Sequence, residues 1–272
     1  MIEPIVSSHW LQSNYMIASV CDVRSGGSGS DPWVGHLDGH LPGAALVDLD
    51  AVLAGPPAAV VGRHPLPDPA HFARGLGALG IGNEATVVAY DDMGGAHASR
   101  LVWMLRIIGQ PAALLDGGRQ AWKGVMDRGR VEIDPVDREV IAWPESAVAD
   151  SSDVARHLHD GGLVIDSRAP ERYRGETEPL DKIAGHVPGA INLPFAENLD
   201  GSGSFLETSE LAARFAAIND PDPIVYCGSG VTACHNALAM EAAGLPLPRV
   251  YVGSWSGWST EPGRIVAFGD EA

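Results

Sequence analysis

Short runs of consecutive apolar residues alternate along the chain with longer stretches in which apolar positions recur at helical spacing. VVAYD, LVID and PIVYC read as strands buried on both faces, whereas HFARGLGALG and HNALAMEAAGL place apolar residues three and four apart and stop at glycine. This alternation predicts an α/β fold built on a mainly parallel sheet flanked by helices. The glycine-rich RSGGSGSD around residue 27 has no helix directly after it and reads as a surface loop.

The pattern occurs twice. CDVR, with Asp22 and Arg24, returns as IDSR, with Asp166 and Arg168; GHLPGA from Gly39 returns as GHVPGA from Gly185. The run ending at Asp91 matches the run ending at Cys227, and Trp122 of DGGRQAW matches Trp258 of GSWSGW in the same order. A duplication fixes a boundary better than linker composition does. Residues 1–132 are therefore expected to form one domain and 151–272 a second. Ile133 to Asp150, with two prolines, many charges and no sustained period, is expected to link them.

Composition narrows the function classes. Of the 272 residues 45% are hydrophobic and 19% charged, the balance of a globular protein, and a net charge of −17 disfavours nucleic acid and anionic lipid as partners. No apolar run approaches the roughly 20 residues of a membrane span, and the N-terminal MIEPIVSSHWLQ lacks a signal-peptide pattern, so a cytoplasmic location is expected. Cys21, Cys227 and Cys234 are too few and too irregularly spaced for a disulfide framework or a thiolate zinc site.

One thiol stands apart. In PDPIVYCGSGVTACHNALAMEAAGL a strand ending at Tyr226 is followed by a small-residue loop and a predicted amphipathic helix beginning near Ala233. Backbone N–H groups and the helix dipole then converge on the Cys227 sulfur and favour its thiolate over the free thiol, which titrates at about 8.5. Gly228 and Gly230 are expected to supply the backbone angles that turn the amides inward. Phosphatase chemistry would need an arginine six residues after the nucleophile, where this chain has Ala233. Sulfur transfer needs only the thiolate and its cradle. Cys21 and Cys234 are read as structural, and so are His40 and His186 of the repeated turn motif.

Both GH[LV]PGA motifs, DSR, ERYRG, the cysteine loop and the following GSW together resemble the tandem-domain rhodanese superfamily, and CGSGVTAC is similar to the loop of its 3-mercaptopyruvate branch. The resemblance implies two rhodanese-like α/β domains, of which only the second is catalytic, with a persulfide on Cys227. Asp91 holds the cysteine's place in the first copy and Ser28 that of Arg172. It further implies that Arg172 binds the donor's anionic group, that Gly228, Gly230, Val231 and Thr232 line the donor site, and that Ser229, His64 and Asp50 form a relay. A second donor-binding arginine of that branch falls at Leu180, a loss that Lys182 is expected to offset in part. The basic residues that follow the cysteine in thiosulfate enzymes are replaced by Gly228 and Ser229.

The resulting expectation is a sulfurtransferase without metal or organic cofactor. It takes sulfur from a small anionic donor, 3-mercaptopyruvate before thiosulfate, and passes it to a thiol, to cyanide or to a thioredoxin-like reductant. A persulfide carrier without turnover is the alternative.

Overall fold

The computed structural model describes residues 2–26, 29 and 31–270, so Ser28 and its neighbours at 27 and 30 in the glycine-rich loop lie outside the described residues. Contacts divide the chain into two compact units. Unit 1 comprises 1–55, 66–143 and 201–205; unit 2 comprises 56–65, 144–200 and 206–272. The units are therefore not the two contiguous stretches expected from the repeat, because the short segment 56–65 packs with the second copy and 201–205 with the first.

In unit 1 the strands β1 (Ile5–Val6), β2 (Ala18–Arg24), β3 (Ala45–Asp48), β4 (Thr86–Tyr90) and β5 (Ala112–Leu115) form a sheet of order β1-β5-β4-β2-β3. In unit 2, β6 (Val148–Ala149), β7 (Val164–Asp166), β8 (Ile191–Asn192), β9 (Ile224–Tyr226) and β10 (Arg249–Tyr251) repeat it as β6-β10-β9-β7-β8. Every pairing is parallel. Parallel sheets are covered on both faces, which is why the central strands are uninterrupted apolar runs: Val87 to Tyr90 and Ile224 to Tyr226 are all buried.

The repeated sequence motifs make the same bonds in both units. Arg24 Nε donates to the Asp22 carboxylate at 2.9 Å, and Arg168 binds Asp166 at 2.6 to 3.1 Å. His40 pairs through its backbone with Asp127, and His186 with Ala267. The Leu41 N–H donates to Tyr90 Oη at 2.9 Å, and the Val187 N–H to Tyr226 Oη at 3.1 Å. Both motif histidines are fully buried with Nδ1 beside a main-chain carbonyl, that of His36 for His40 and that of Tyr173 for His186, as structural residues should be.

Local chemistry sets the helix ends. Asp68 accepts from the N–H groups of Ala70 and His71 and Pro69 opens helix Pro69–Ala78, which stops before Gly80 at φ +69°. Ile133 to Asp150 proves not to be a free linker. The Val136 N–H donates to Gly77 C=O, Arg138 donates to the carbonyls of Ile81 and Gly82, and Trp143 Nε1 donates to Pro67 C=O. Beyond them β6 joins the second sheet, and Asp150 caps helix Ser151–His159 in a reciprocal capping box with Asp153. Its prolines and charges reflect a strap bonded side by side with unit 1.

Among the described residues, the Tyr90 hydroxyl is the acceptor of the buried Leu41 N–H. Tyr90→Phe should therefore lower stability by about 1–3 kcal/mol, the cost of a buried unsatisfied donor. Urea unfolding should show a lower midpoint at unchanged slope.

Candidate active site

Cys227 follows the last residue of β9, the middle strand of the second sheet, and so stands at the carboxyl ends of parallel strands where open α/β sheets place their ligands. The loop turns at Gly230, at φ +76°, and enters helix Thr232–Ala242. Ala233 through Met240 are all buried, so this helix is not amphipathic as predicted. Its polar residue Asn236 is satisfied internally, donating to Ser167 Oγ at 2.8 Å and to Leu193 C=O at 2.7 Å.

The turn aims donors at the sulfur. The Gly230 N–H lies 3.1 Å from Cys227 Sγ, joined by the N–H groups of Ser229 and Ala233 and the Thr232 hydroxyl. The residue is 1% exposed. Burial alone pushes the thiol up, but the hydrogen bonds together outweigh it and leave the thiol below its ordinary value. Cys21 shows the contrast: buried on β2 beside Asp22 with no such ring, it is pushed up to about 12. Cys234 is also buried, its thiol facing the Gly230 carbonyl.

The GSW motif fixes the loop from behind. Trp255 and Ser256 donate their N–H groups to the carbonyls of Cys227 and Gly228, and Ser254 Oγ accepts from the Cys227 N–H while donating to Tyr251 C=O. To do so Ser254 holds φ 51°, a left-handed conformation that costs a residue with a Cβ about 1–3 kcal/mol.

Segment 56–65 brings two residues to the loop. His64 Nδ1 lies 2.9 Å from Ser229 Oγ, so two members of the expected relay meet. Asp50 belongs to unit 1, where its carboxylate accepts from Ser25 Oγ and the Gly26 N–H. Arg63, which sequence reasoning missed, places Nη2 3.1 Å from where a Cβ on Gly228 would be; Arg172 Nη2 is 3.2 Å from the same point. Gly228 thus leaves room for the two guanidinium groups to approach closely and does not supply a special backbone angle. Lys182 is exposed and makes no hydrogen bond or ion pair among the described residues, and Leu180 is 63% exposed.

Two buried carboxylates hold the arginines. Glu178 accepts from Arg172 at 2.7 to 3.2 Å and from Arg168 Nη1 at 3.2 Å, while Asp181 accepts from Arg63 Nη1 and lies 3.7 Å from Arg172. Burial raises the Glu178 carboxyl, but Arg172 and the N–H groups of Leu180 and Asp181 bring it below the usual range. Arg168, itself bound to Asp166 and stacked over Trp255 at 4.8 Å, links the DSR motif through Glu178 to Arg172. Glu178, Asp181 and Ser254 carried no sequence signal beyond their place beside ERYRG and in GSW.

Unit 1 has the same cradle with a different occupant. The buried Asp91 carboxylate accepts the N–H groups of Met93, Gly95, His97 and Ala98 at 2.8 to 2.9 Å. No group of three or more His, Cys, Asp or Glu among the described residues could hold a metal, and no helix among them is long and apolar enough to cross a membrane.

Residues 7–124 and 150–261 each match the family described as Rhodanese-like domain. The chain belongs to the rhodanese-like family. A Pseudomonas aeruginosa relative named "Probable 3-mercaptopyruvate sulfurtransferase" is 44% identical to this rhodanese-like chain over 247 residues, 86% of each. SseB of Mycobacterium tuberculosis, provisionally named a thiosulfate sulfurtransferase, is 37% identical over 92% of this chain and 91% of its own. The crystal structure of SseA from Escherichia coli, described as a 3-mercaptopyruvate sulfotransferase, superposes with a TM-score of 0.80 at 30% identity and covers 93% of this chain and 99% of that one.

Thr232 makes the largest of the contributions that favour the rhodanese-like thiolate. Alkylation of Cys227 by iodoacetamide should rise with pH through a midpoint below that of an ordinary thiol, since only the ionised form reacts. Thr232→Val, which keeps the shape and loses the hydroxyl, should move that midpoint up; an unmoved midpoint would remove the hydroxyl from the cradle.

Proposed function

We propose that this chain is a sulfurtransferase that takes sulfur from 3-mercaptopyruvate and passes it to a thiol or cyanide through a persulfide on Cys227. The observation that carries the reading is a cradled thiol two residues from a hydroxyl that His64 orients at 2.9 Å. A thiolate needs no such hydroxyl to attack sulfur, whereas a donor bearing a carbonyl benefits from one.

The Cys227 thiolate attacks the donor sulfur and the carbon–sulfur bond breaks. The electron pair of that bond passes toward the ketone as an enolate, the thiol proton of the donor ends on carbon, and pyruvate leaves. Ser229, held by His64, donates a hydrogen bond to the carbonyl oxygen as charge gathers there. Arg172 binds the donor carboxylate through its planar fork. The Ser229, Gly230 and Ala233 amides and the Thr232 hydroxyl then hold the terminal persulfide sulfur as an anion. An acceptor thiolate or cyanide attacks that outer sulfur, the sulfur–sulfur bond breaks, and the electron pair returns to Cys227 Sγ. A thioredoxin-like dithiol is a suitable acceptor, and the three free cysteines suit a reducing, cytoplasmic compartment.

Thiosulfate is the second donor to test, supported by the name of the mycobacterial relative. Purified protein mixed with cyanide and either donor should release thiocyanate faster from 3-mercaptopyruvate. A single gain of one sulfur in mass without turnover would instead mark a carrier. Cys227→Ser should abolish turnover with both donors, and residual activity above a few per cent would defeat the mechanism. Arg172→Ala should lower kcat/KM at least tenfold, a loss of about 1.4 kcal/mol of transition-state binding.

A further inference from the structure

Six charged side chains gather beside the Cys227 loop, three of each sign. Arg63, Arg168 and Arg172 are bridged by Asp166, Glu178 and Asp181. Arg168 spends its donors inside this cluster, on Asp166, Glu178 and the Gly185 carbonyl. The other two keep donors in reserve. Arg172 bonds through Nε and Nη2 and leaves Nη1, while Arg63 bonds only through Nη1 and leaves Nε and Nη2. The spare Arg63 Nη2 and Arg172 Nη1 converge, standing 3.1 and 3.4 Å from the one point where Gly228 lacks a Cβ, with the Glu178-bound Arg172 Nη2 3.2 Å from it.

Arg63 is held as firmly as the loop it faces. Its N–H donates to Ser256 Oγ at 3.1 Å, and the Ser256 N–H in turn holds the Gly228 carbonyl. Before it, Gly62 sits at φ +87° with the Gly253 oxygen 2.4 Å from where its Cβ would lie, so no other residue brings segment 56–65 this close. A positioned guanidinium with unused donors beside a nucleophile is suited to fork onto a carboxylate.

We propose that Arg63 and Arg172 together form a clamp for the anionic group of the donor, and that the charge balance of the cluster makes it select a singly charged carboxylate over a dianion. Six charges of zero sum provide local donors without a net positive field. A monoanion therefore meets one thiolate with its charge matched by hydrogen bonds, whereas a dianion adds a second uncompensated charge at short range. The proposal deepens the reading of Cys227 as a sulfur-transfer nucleophile and rests on it for the donor's identity.

Calorimetric titration of the full chain with pyruvate, and separately with sulfate, tests the clamp without requiring turnover. Pyruvate should bind more tightly than sulfate. Arg63→Met should weaken pyruvate at least tenfold, and Arg63→Lys should recover part of the loss, since a point charge restores attraction and not the fork. Asp181→Asn, which leaves the cluster with one excess positive charge, should shift the preference toward sulfate. Melting temperatures of all three variants check that each is folded, and the lysine variant carries the test if the methionine variant is not. No pyruvate binding by the wild type, equal binding by Arg63→Met, or sulfate bound as tightly as pyruvate would overturn the proposal. The mass of Cys227 after exposure to 3-mercaptopyruvate separates the two ideas: sulfur gained with an inert Arg63 sinks the clamp alone, and pyruvate bound with no sulfur gained sinks the donor assignment alone.

Discussion

A ring of main-chain N–H groups at the end of a central parallel strand must enclose an anion, and both units are organised around that requirement. The geometry that makes the ring is a strand, a tight turn and a helix start, and it leaves several donors pointing at one place with no carbonyl to meet them. Buried and empty, such a ring would cost several unsatisfied donors. Unit 1 fills it with the carboxylate oxygens of Asp91 and unit 2 with the sulfur of Cys227. A carboxylate satisfies the ring and is then chemically finished. A thiolate satisfies it equally and still carries a nucleophilic electron pair.

Around the second ring the protein conserves charge locally although the whole chain carries −17. Asp166 and Arg168 form a buried pair that neither attracts nor repels a ligand, and Glu178 extends the pair outward to Arg172. Charges taken out of water in this way are tolerable because each has a partner and further hydrogen bonds. The motifs recognised as a scattered signature thus form one connected object: DSR holds Glu178, Glu178 holds the arginine of ERYRG, and the tryptophan of GSW lies under Arg168 while its neighbours tie down the cysteine loop.

Much of this could be read from residue order. The doubled sheet was legible because GHLPGA and GHVPGA, Asp22 and Asp166, and Asp91 and Cys227 occur in one sequence of matches, and the loop was legible because its glycines and helix lie next to the thiol. Ser229 with His64 was reached through resemblance, not spacing. Arg63 escaped because its partners, Asp181, Ser256 and Gly228, are remote in the chain, and adjacency to a histidine in a proline-rich stretch is no signal by itself. The amphipathic reading of helix Thr232–Ala242 failed because periodicity does not reveal that polar residues such as Asn236 find partners inside a core. The supposed linker failed because prolines and charges describe a strap bonded along a surface as well as a free tether.

Segment 56–65 gives the molecule a history that its repeat conceals. Encoded in the first copy yet folded with the second, it supplies Arg63 and His64 to the cysteine loop. A gene carrying the second copy alone would inherit the sulfur and its cradle but lose the side chains that border Ser229 and Gly228. The two copies, alike in sequence, are thereby interlaced in the fold, for the loop of the second is bordered by residues that only the first encodes.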